Sequence, residues 1–249
     1  MQQLKTVFWD LDGTIADTEL TGHRVAFNQA FNKYSLDWNW SKDEYIQLLH
    51  FPGGRNRIKQ YALLKGHTIT DEQIKSIHQS KKYNYIELVR KGSIKIRPGV
   101  IRLLKELKEN NVKQWIVTSS GKSSVKALLE AYKLNTFSGY VTSELVQLAK
   151  PSPECYIKAL ELSKSSTRNS IAIEDSIEGL RSASLANLNC IVTLSPWSKY
   201  KDSLYKAADI IVDHLGDYNK PSYIFKGLDS TSIIDYRTLE NLLKKSLNG

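Results

Sequence analysis

Two patterns of hydrophobic and polar residues divide the chain. From about residue 97 onward, short apolar runs alternate with stretches whose apolar residues recur at helical spacing, and an earlier apolar run covers residues 5–9. The short runs predict strands at 5–9, 115–117, 140–141, 171–173, 191–193 and 210–212. The helical stretches predict helices near 100–108, 125–132, 153–162, 177–188 and 236–246. Alternating strands and helices indicate a parallel sheet with right-handed crossovers.

Residues 18–96 follow the other pattern, in which helices occur without strands. Their apolar spacing predicts helices at 18–34, 42–50, 55–65 and about 71–91. Ser41 with Glu44, and Thr70 with Gln73, have the spacing of a capping box, which marks a helix start. We therefore expect an α/β fold in which residues 1–16 and 97–249 form a Rossmann-like core with a parallel sheet. Residues 17–96 would be a helical cap domain inserted into it as a lid.

The composition is that of an ordinary globular protein. The chain has 249 residues, of which 41% are hydrophobic and 24% are charged. Its apolar runs are too short to span a bilayer, and no signal or transit segment precedes the first strand, so we expect a cytoplasmic protein without a membrane partner. The two cysteines, Cys155 and Cys190, are expected in the core rather than in a disulfide or metal site.

The net charge of +9 is a possible sign of an anionic partner. Residues 17–96 contain 13 Lys/Arg and 8 Asp/Glu, so they hold +5 of it. The basic residues are scattered rather than gathered in blocks, which argues against nucleic acid and is compatible with small phosphorylated substrates. We expect a monomer with a small-molecule substrate.

Asp10 and Asp12 follow the first apolar run directly, in the segment Asp10-Leu-Asp-Gly-Thr14. The carboxyl ends of parallel strands are where open α/β sheets place their sites. Two acids one residue apart repel each other, so burying them together requires a cation or a shared proton. The pair suits a nucleophile that also binds metal beside a general acid/base. A strand that merely ends in an Asp-Gly turn is the alternative.

Three further polar segments also follow predicted strands. Thr118-Ser-Ser120 could hold a phosphoryl group or simply cap a helix. Lys150 precedes two prolines on a stiff, extended segment, where it is either aimed into a site or a solvated loop lysine. Glu174 and Asp175 offer oxygens that suit Mg²⁺, although Asp175 or Ser176 could instead be a helix N-cap. Because all four segments follow strands, we expect them at one edge of the sheet.

The order of these four segments resembles that of the haloacid dehalogenase superfamily. Further segments are similar to its CbbY-like phosphatase branch, which is related to β-phosphoglucomutase: they are Asp17-Thr-Glu19, Gly22-His-Arg24, Gly53 to Arg57, Arg97 to Val100 and Gly179 to Ala183. The resemblance runs from residue 5 to about 215. It implies a Mg²⁺-dependent phosphatase of a small sugar phosphate or bisphosphate, notably xylulose 1,5-bisphosphate.

The resemblance also implies roles for individual residues. Asp10 would be the nucleophile that forms an aspartyl-phosphate, and Asp12 the general acid/base. Thr118, the backbone around Ser119 and Lys150 would stabilise the transferred group. The metal ligands it implies are Asp10, the backbone carbonyl of Asp12, Glu174 and Asp175.

Substrate-binding residues in the cap are carried over in the same way. The resemblance implies Glu19 and His23 at the lid hinge near the sugar, Gly54 as a further substrate-binding residue, and Arg55 within reach of a second phosphate; the alternative for Arg55 is an exposed helix arginine. Lys122 stands where relatives often carry a neutral residue and would be an extra phosphate contact. A phosphomutase of the β-phosphoglucomutase type is the alternative function, and a non-catalytic basic module that binds nucleic acid or regulates is a more distant one.

Overall fold

The computed structural model describes residues 3–51, 53–198, 200–228 and 232–245. The chain divides into two compact units. The first, called here the α/β unit, comprises Met1–Ala16, Ile96–Val125 and Leu134–Gly249. The second, the helical unit, comprises Asp17–Lys95 and Lys126–Lys133.

The helices and strands have the following bounds. The strands of the described residues are β1 (Thr6–Trp9), β2 (Lys113–Val117), β3 (Gly139–Val141), β4 (Ser170–Glu174), β5 (Asn189–Thr193), β6 (Ile210–Val212) and β7 (Ile224–Lys226). The α-helices of the same residues are α1 (Arg24–Lys33), α2 (Lys42–Leu48), α3 (Gly54–Leu64), α4 (Asp71–Arg90), α5 (Val100–Glu109), α6 (Lys122–Ala131), α7 (Glu154–Ser163), α8 (Ile177–Leu185) and α9 (Tyr236–Lys245).

All strands lie in one sheet with the order β3-β2-β1-β4-β5-β6-β7. Strands β1 to β6 are parallel, which confirms the predicted sheet, whereas β7 pairs antiparallel with β6. Sequence analysis missed β7, a three-residue edge strand that is only partly buried, because its apolar run is short and lies outside the pattern of alternating strands and helices. Crossover helices cover parallel strands on both faces, so these strands are continuously apolar and carry the strongest signal.

The register of the central strands explains why polar residues gather at one edge. Trp9 on β1 is paired with Ile116 on β2 and with Ile173 on β4. Asp10, Val117 and Glu174 each come one residue later and so lie at the same level of the sheet. Below this level the strands are buried, and alternate residues such as Phe8 and Ala172 pack with α7 and α8 in one hydrophobic cluster. The edge therefore rests on a rigid apolar core.

The helical unit has an aromatic core of its own. The side chains of Phe27, Phe31, Trp38, Trp40, Tyr45 and Tyr61 form one buried cluster. Both predicted capping boxes are present: Ser41 with Glu44 begins α2, and Thr70 with Gln73 begins α4. These reciprocal bonds satisfy backbone N–H groups that a helix start leaves without partners.

Some predicted elements differ in detail from the structure. The predicted helix 18–34 begins with a single π-helical turn, Glu19–His23, before α1. Residue 246 of the predicted C-terminal helix lies outside the described residues. Both cysteines are free and buried, as expected. Among the residues described, no helix is long and apolar enough to cross a membrane.

The stability of the helical unit should depend on Trp40. This side chain is fully buried, and its ring centroid lies 4.7 Å from those of both Phe27 and Phe31. We expect Trp40→Ala to lower the free energy of unfolding by about 3–5 kcal/mol, because it removes these contacts and leaves a cavity. Urea denaturation followed by circular dichroism measures the change. Tyr83→Ala is the control, since Tyr83 is 65% exposed, and an equal loss in both variants would contradict the prediction.

Candidate active site

Asp10 and Thr118 are held by backbone bonds that extend the sheet beyond its strands. The Asp10 N–H donates to the carbonyl of Ile173 at 2.9 Å, and the Thr118 N–H donates to that of Val141 at 3.0 Å. Both side chains are buried. The nucleophile candidate and the first residue of the Thr118–Ser120 turn are therefore fixed by main-chain hydrogen bonds rather than by mobile loops.

Lys150 joins two of the acids. Its Nζ lies 2.8 Å from Oδ1 of Asp10 and 2.7 Å from Oε1 of Glu174, and it donates to the Val117 carbonyl at 2.8 Å. An ammonium group has three N–H donors, and each of these oxygens can receive one. The segment that carries Lys150 is a turn rather than the extended stretch expected, closed by a bond from the Ser152 N–H to the Ala149 carbonyl. The lysine is aimed at the acids.

The electrostatics of this group reflect its burial. Burial raises the pKa of Asp10 well above its usual value, although Lys150 acts against the shift. Burial alone would lower the pKa of Lys150, but the Asp10 and Glu174 carboxylates outweigh it and raise that pKa. Tyr156 donates its hydroxyl to Oε1 of Glu174, and burial raises the pKa of this tyrosine well above its ordinary value. Lys150 therefore stays charged and Tyr156 stays protonated.

Three carboxylates form a possible metal site. Oxygen atoms of Asp10, Glu174 and Asp175 all lie within 4.8 Å of one another. Oε2 of Glu174 is buried and has no hydrogen-bond partner among the described residues. Burial raises the pKa of Asp175 to about 7, although a bond from Ser195 opposes the shift. An all-oxygen donor set of this kind fits a hard divalent cation such as Mg²⁺.

Two glycines leave room for these carboxylates. A Cβ on Gly13 would lie 2.0 Å from Oδ2 of Asp175, and one on Gly179 would lie 1.9 Å from Oε2 of Glu174. Gly13 also has a φ of +91°, which side chains rarely adopt. The carboxylates thus pack directly against the backbone, and this close packing requires glycine at both positions.

Ser120 and Ser195 were not predicted as site residues. Ser120 Oγ donates to Oδ2 of Asp12, and Ser195 Oγ donates to Oδ2 of Asp175. Ser120 belongs to the turn that sequence analysis had singled out, but its role there had been given to its neighbours. Ser195 comes two residues after β5, so the same strand-end rule could have found it.

Arg97 was likewise missed as a structural element of the site. Its guanidinium is buried and donates to the carbonyls of Gly13, Thr193, Leu194 and Asp213. These carbonyls belong to the loop after β1 and to the segments that end β5 and β6. Arg97 thereby ties together the loops that carry the acids and Ser195.

Ser119 and Lys122 are less closely associated with the acids. Ser119 is exposed, whereas the Thr118 Oγ1 accepts a bond from the Ser120 N–H at 3.0 Å. Lys122 is exposed at the start of α6, and its backbone N–H lies 3.1 Å from both carboxylate oxygens of Glu144. Within the described residues, no contact connects the Lys122 side chain to the four acids.

In the helical unit, Glu19 and His23 belong to two separate groups. Tyr45 donates its hydroxyl to Oε2 of Glu19 and accepts a bond from Arg57 at 3.0 Å. The buried Nζ of Lys81 lies 3.0 Å from Nδ1 of His23. Neither Tyr45 nor Lys81 was predicted, because aromatic and basic residues on helices usually belong to the core or the solvated face.

Gly54 and Arg55 lie at the start of α3 beside His78. A Cβ on Gly54 would lie 2.6 Å from Nε2 of the His78 ring, and the Arg55 side chain is exposed. Burial, Lys81, Lys82 and Arg55 together lower the pKa of His78 to about 3. His78 is therefore neutral at physiological pH, in surroundings with a positive potential. We call Arg55, Lys81 and Lys82 the cationic cluster of the helical unit.

Comparisons with known proteins show the family to which the chain belongs. The family model of haloacid dehalogenase-like hydrolases matches residues 7–193. Protein CbbY of Rhodobacter capsulatus is 33% identical over 211 residues, covering 83% of this chain and 92% of that protein. The crystal structure of Rhodobacter sphaeroides CbbY with xylulose-(1,5)bisphosphate has a TM-score of 0.76 and 30% identity, and covers 87% and 98% of the two chains. A β-phosphoglucomutase from Clostridium difficile has a TM-score of 0.74 over 99% of this chain and all of its own, but at 17% identity it shows the fold alone.

Removing the charge of Lys150 should destabilise the protein in a pH-dependent way. In Lys150→Met, Asp10 and Glu174 lose their buried counter-charge, which we expect to cost about 3–5 kcal/mol of unfolding free energy at pH 8 in EDTA. Lys150 opposes the effect of burial on Asp10, so in the variant the pKa of Asp10 rises further; at lower pH this acid can be protonated, and the difference from wild type should shrink toward pH 5. Denaturant unfolding at both pH values measures this. Lys158→Met, which removes a surface pair with Glu161, is the control, and a pH-independent loss at Lys150 would contradict the explanation.

Proposed function

Because the chain belongs to the haloacid dehalogenase-like hydrolases, we propose that it is a Mg²⁺-dependent phosphatase of a small sugar phosphate or bisphosphate. The observation that carries this proposal is the group formed by Asp10, Lys150 and Glu174, in which a buried ammonium orients a carboxylate at the sheet edge. The similarity to CbbY, whose structure contains xylulose-(1,5)bisphosphate, supports a ketose bisphosphate as substrate.

The first step would be attack by Asp10 on phosphorus. A bond forms between a carboxylate oxygen and phosphorus, while the bond from phosphorus to the leaving sugar oxygen breaks. Asp12 gives a proton to that oxygen, so that the sugar leaves as an alcohol. Asp12 comes two residues after Asp10 and directly before the turn at 13–15, which places both acids just beyond the end of β1.

The second step would release phosphate. A water oxygen attacks the phosphorus of the aspartyl-phosphate, Asp12 takes a proton from that water, and the bond between phosphorus and Asp10 breaks. Thr118 and backbone N–H groups near Ser119 are suited to stabilise the phosphoryl oxygens. In the structure Lys150 orients the acids, so a contact with the phosphoryl group would replace one of its bonds to protein oxygens.

The acid residues present fit a Mg²⁺ ion. Asp10, Glu174 and Asp175 would hold it, together with the backbone carbonyl of Asp12, and the unsatisfied Oε2 of Glu174 is one donor that such an ion could use. When bound, Mg²⁺ supplies positive charge that offsets the charges of the nucleophile and the phosphate.

We assign the second phosphate of a bisphosphate to the cationic cluster. Lys81 is nearly fully buried, with its Nζ 4.9 Å from the ring centroid of Phe27, so its position is well defined. Arg55 is exposed and can offer a bidentate contact, the geometry that phosphate favours. The low pKa of His78 supports an anion at this place, since it reflects burial and the positive potential of Lys81, Lys82 and Arg55.

Hydrolysis is tested by measuring phosphate release from pentose and hexose bisphosphates, including xylulose 1,5-bisphosphate, alongside conversion of β-glucose 1-phosphate. We expect release that requires Mg²⁺ and stops with EDTA. Asp10→Asn should reduce it by about three orders of magnitude or more while the protein stays folded, because an amide is not a nucleophile here. Isomerised product without free phosphate would identify a mutase instead, and substantial activity in the variant would exclude Asp10 as the nucleophile.

Substitution of Arg55 should affect the KM for bisphosphates more than the KM for monophosphates. We expect Arg55→Ala to raise KM about tenfold or more for the preferred bisphosphate, since it removes a charged contact to the distal phosphate, and to leave the matching monophosphate nearly unchanged. Steady-state kinetics on both substrates gives the comparison. Lys33→Ala removes an exposed cation at the end of α1 and serves as the control. Equal effects of Arg55→Ala on both substrates would rule out a distal-phosphate role.

A further inference from the structure

Two of the four acids at the sheet edge are each bound by a serine hydroxyl. Ser120 donates to Asp12, and Ser195 donates to Asp175. Asp10 and Glu174 are instead engaged by Lys150. The four carboxylates thus differ in their partners: Lys150 binds the proposed nucleophile and one metal-ligand candidate, whereas serine hydroxyls bind the proposed acid/base and the other metal-ligand candidate.

Ser120 is held in place from both sides. Its N–H donates to Oγ1 of Thr118 at 3.0 Å, and its carbonyl accepts a bond from the Ser143 N–H at 3.2 Å. These bonds fix the backbone on which the hydroxyl is mounted, in a turn that leaves directly from β2. The hydroxyl therefore reaches Asp12 from a rigid support rather than from a mobile loop.

A carboxyl group is planar, so a bond to one oxygen limits where the other can point. With Oδ2 of Asp12 held by Ser120, rotation about the last side-chain torsion is restricted and the direction of Oδ1 is set. Proton transfer depends steeply on such alignment, because the acid must meet the leaving oxygen at hydrogen-bond distance in the transition state. A carboxyl group that points in another direction could still exchange protons, but it would no longer reach the leaving oxygen.

We propose that Ser120 is a positioning residue for Asp12, aligning its carboxyl group for proton transfer to the sugar oxygen that leaves. The proposal rests on the proposed phosphatase function and adds to it a residue outside the acids, Lys150 and Thr118. Ser195 makes the same type of contact with Asp175, a metal-ligand candidate, so it provides a matched comparison: one hydroxyl serves the acid/base and the other serves the cation site.

The test compares two kinds of leaving group. A sugar alkoxide needs a proton as it departs, whereas p-nitrophenolate is stable enough to leave without one. We expect Ser120→Ala to lower kcat/KM for the sugar phosphate about tenfold or more, and to change kcat/KM for p-nitrophenyl phosphate by less than about threefold. The ratio kcat/KM is used because it reports the first step alone. Ser120→Thr, which keeps a hydroxyl, should restore most of the loss.

The comparison variant should behave differently. Ser195→Ala is expected to lower activity on both substrates by the same factor and to raise the Mg²⁺ concentration needed for half-maximal stabilisation against thermal unfolding, measured without substrate. A loss in Ser120→Ala that is equal for both leaving groups, or that Ser120→Thr does not restore, would overturn the positioning role. If wild type releases no phosphate from any substrate, the proposed function itself fails, and that result is distinct from either outcome.

Discussion

The ion group around Lys150 is the constraint on which the rest of the site depends. Burying Asp10 and Glu174 together at the end of a sheet is unfavourable, because both lose water and repel each other. The Lys150 ammonium lies within 2.8 Å of both and compensates part of this cost. Asp12 and Asp175 add two more carboxylates nearby, and Lys150 alone cannot neutralise all four acids in their ionised forms. The α/β unit is in this sense already arranged for a further cation.

The sheet makes this concentration of charge possible. Parallel strands in register bring Asp10, Val117 and Glu174 to one level above an apolar core, with Thr118 one residue beyond it. Neither Gly13 nor Gly179 has a side chain to push the carboxylates away. Arg97 then connects the loops by donating hydrogen bonds to their carbonyl oxygens. A guanidinium suits this role because its planar, always charged group presents five donors. The geometry of the acids is thus a property of the backbone framework as much as of the acids.

Sequence reasoning located the elements whose signal is local. Asp10, Thr118 and Glu174 were found because each is a polar residue placed at the end of an apolar run, and parallel sheets collect such ends at one edge. Tyr156 could not be found in this way, since an aromatic residue on the apolar face of α7 looks like any core residue until its hydroxyl is seen on Glu174. The role of Arg97 could not be predicted either, because its partners are backbone carbonyl groups of distant segments, and such groups are present in every residue type. The π-helical turn at Glu19–His23 has no distinct periodicity at this length.

The two units differ in the sign of charge they concentrate. In the α/β unit, carboxylates predominate around one lysine, an arrangement that suits a bound cation and the transfer of a phosphoryl group. In the helical unit, Lys81 is buried between Phe27 and Tyr85, and neighbouring cations help to depress the pKa of His78 to about 3. Placing several cations close together is unfavourable because they repel one another, and binding of an anionic ligand would reduce this repulsion. Under the proposed function, the reaction and the choice of substrate would depend on different residues, so substitutions in the cationic cluster would alter which phosphate ester is accepted without disturbing Asp10, Asp12 or Lys150.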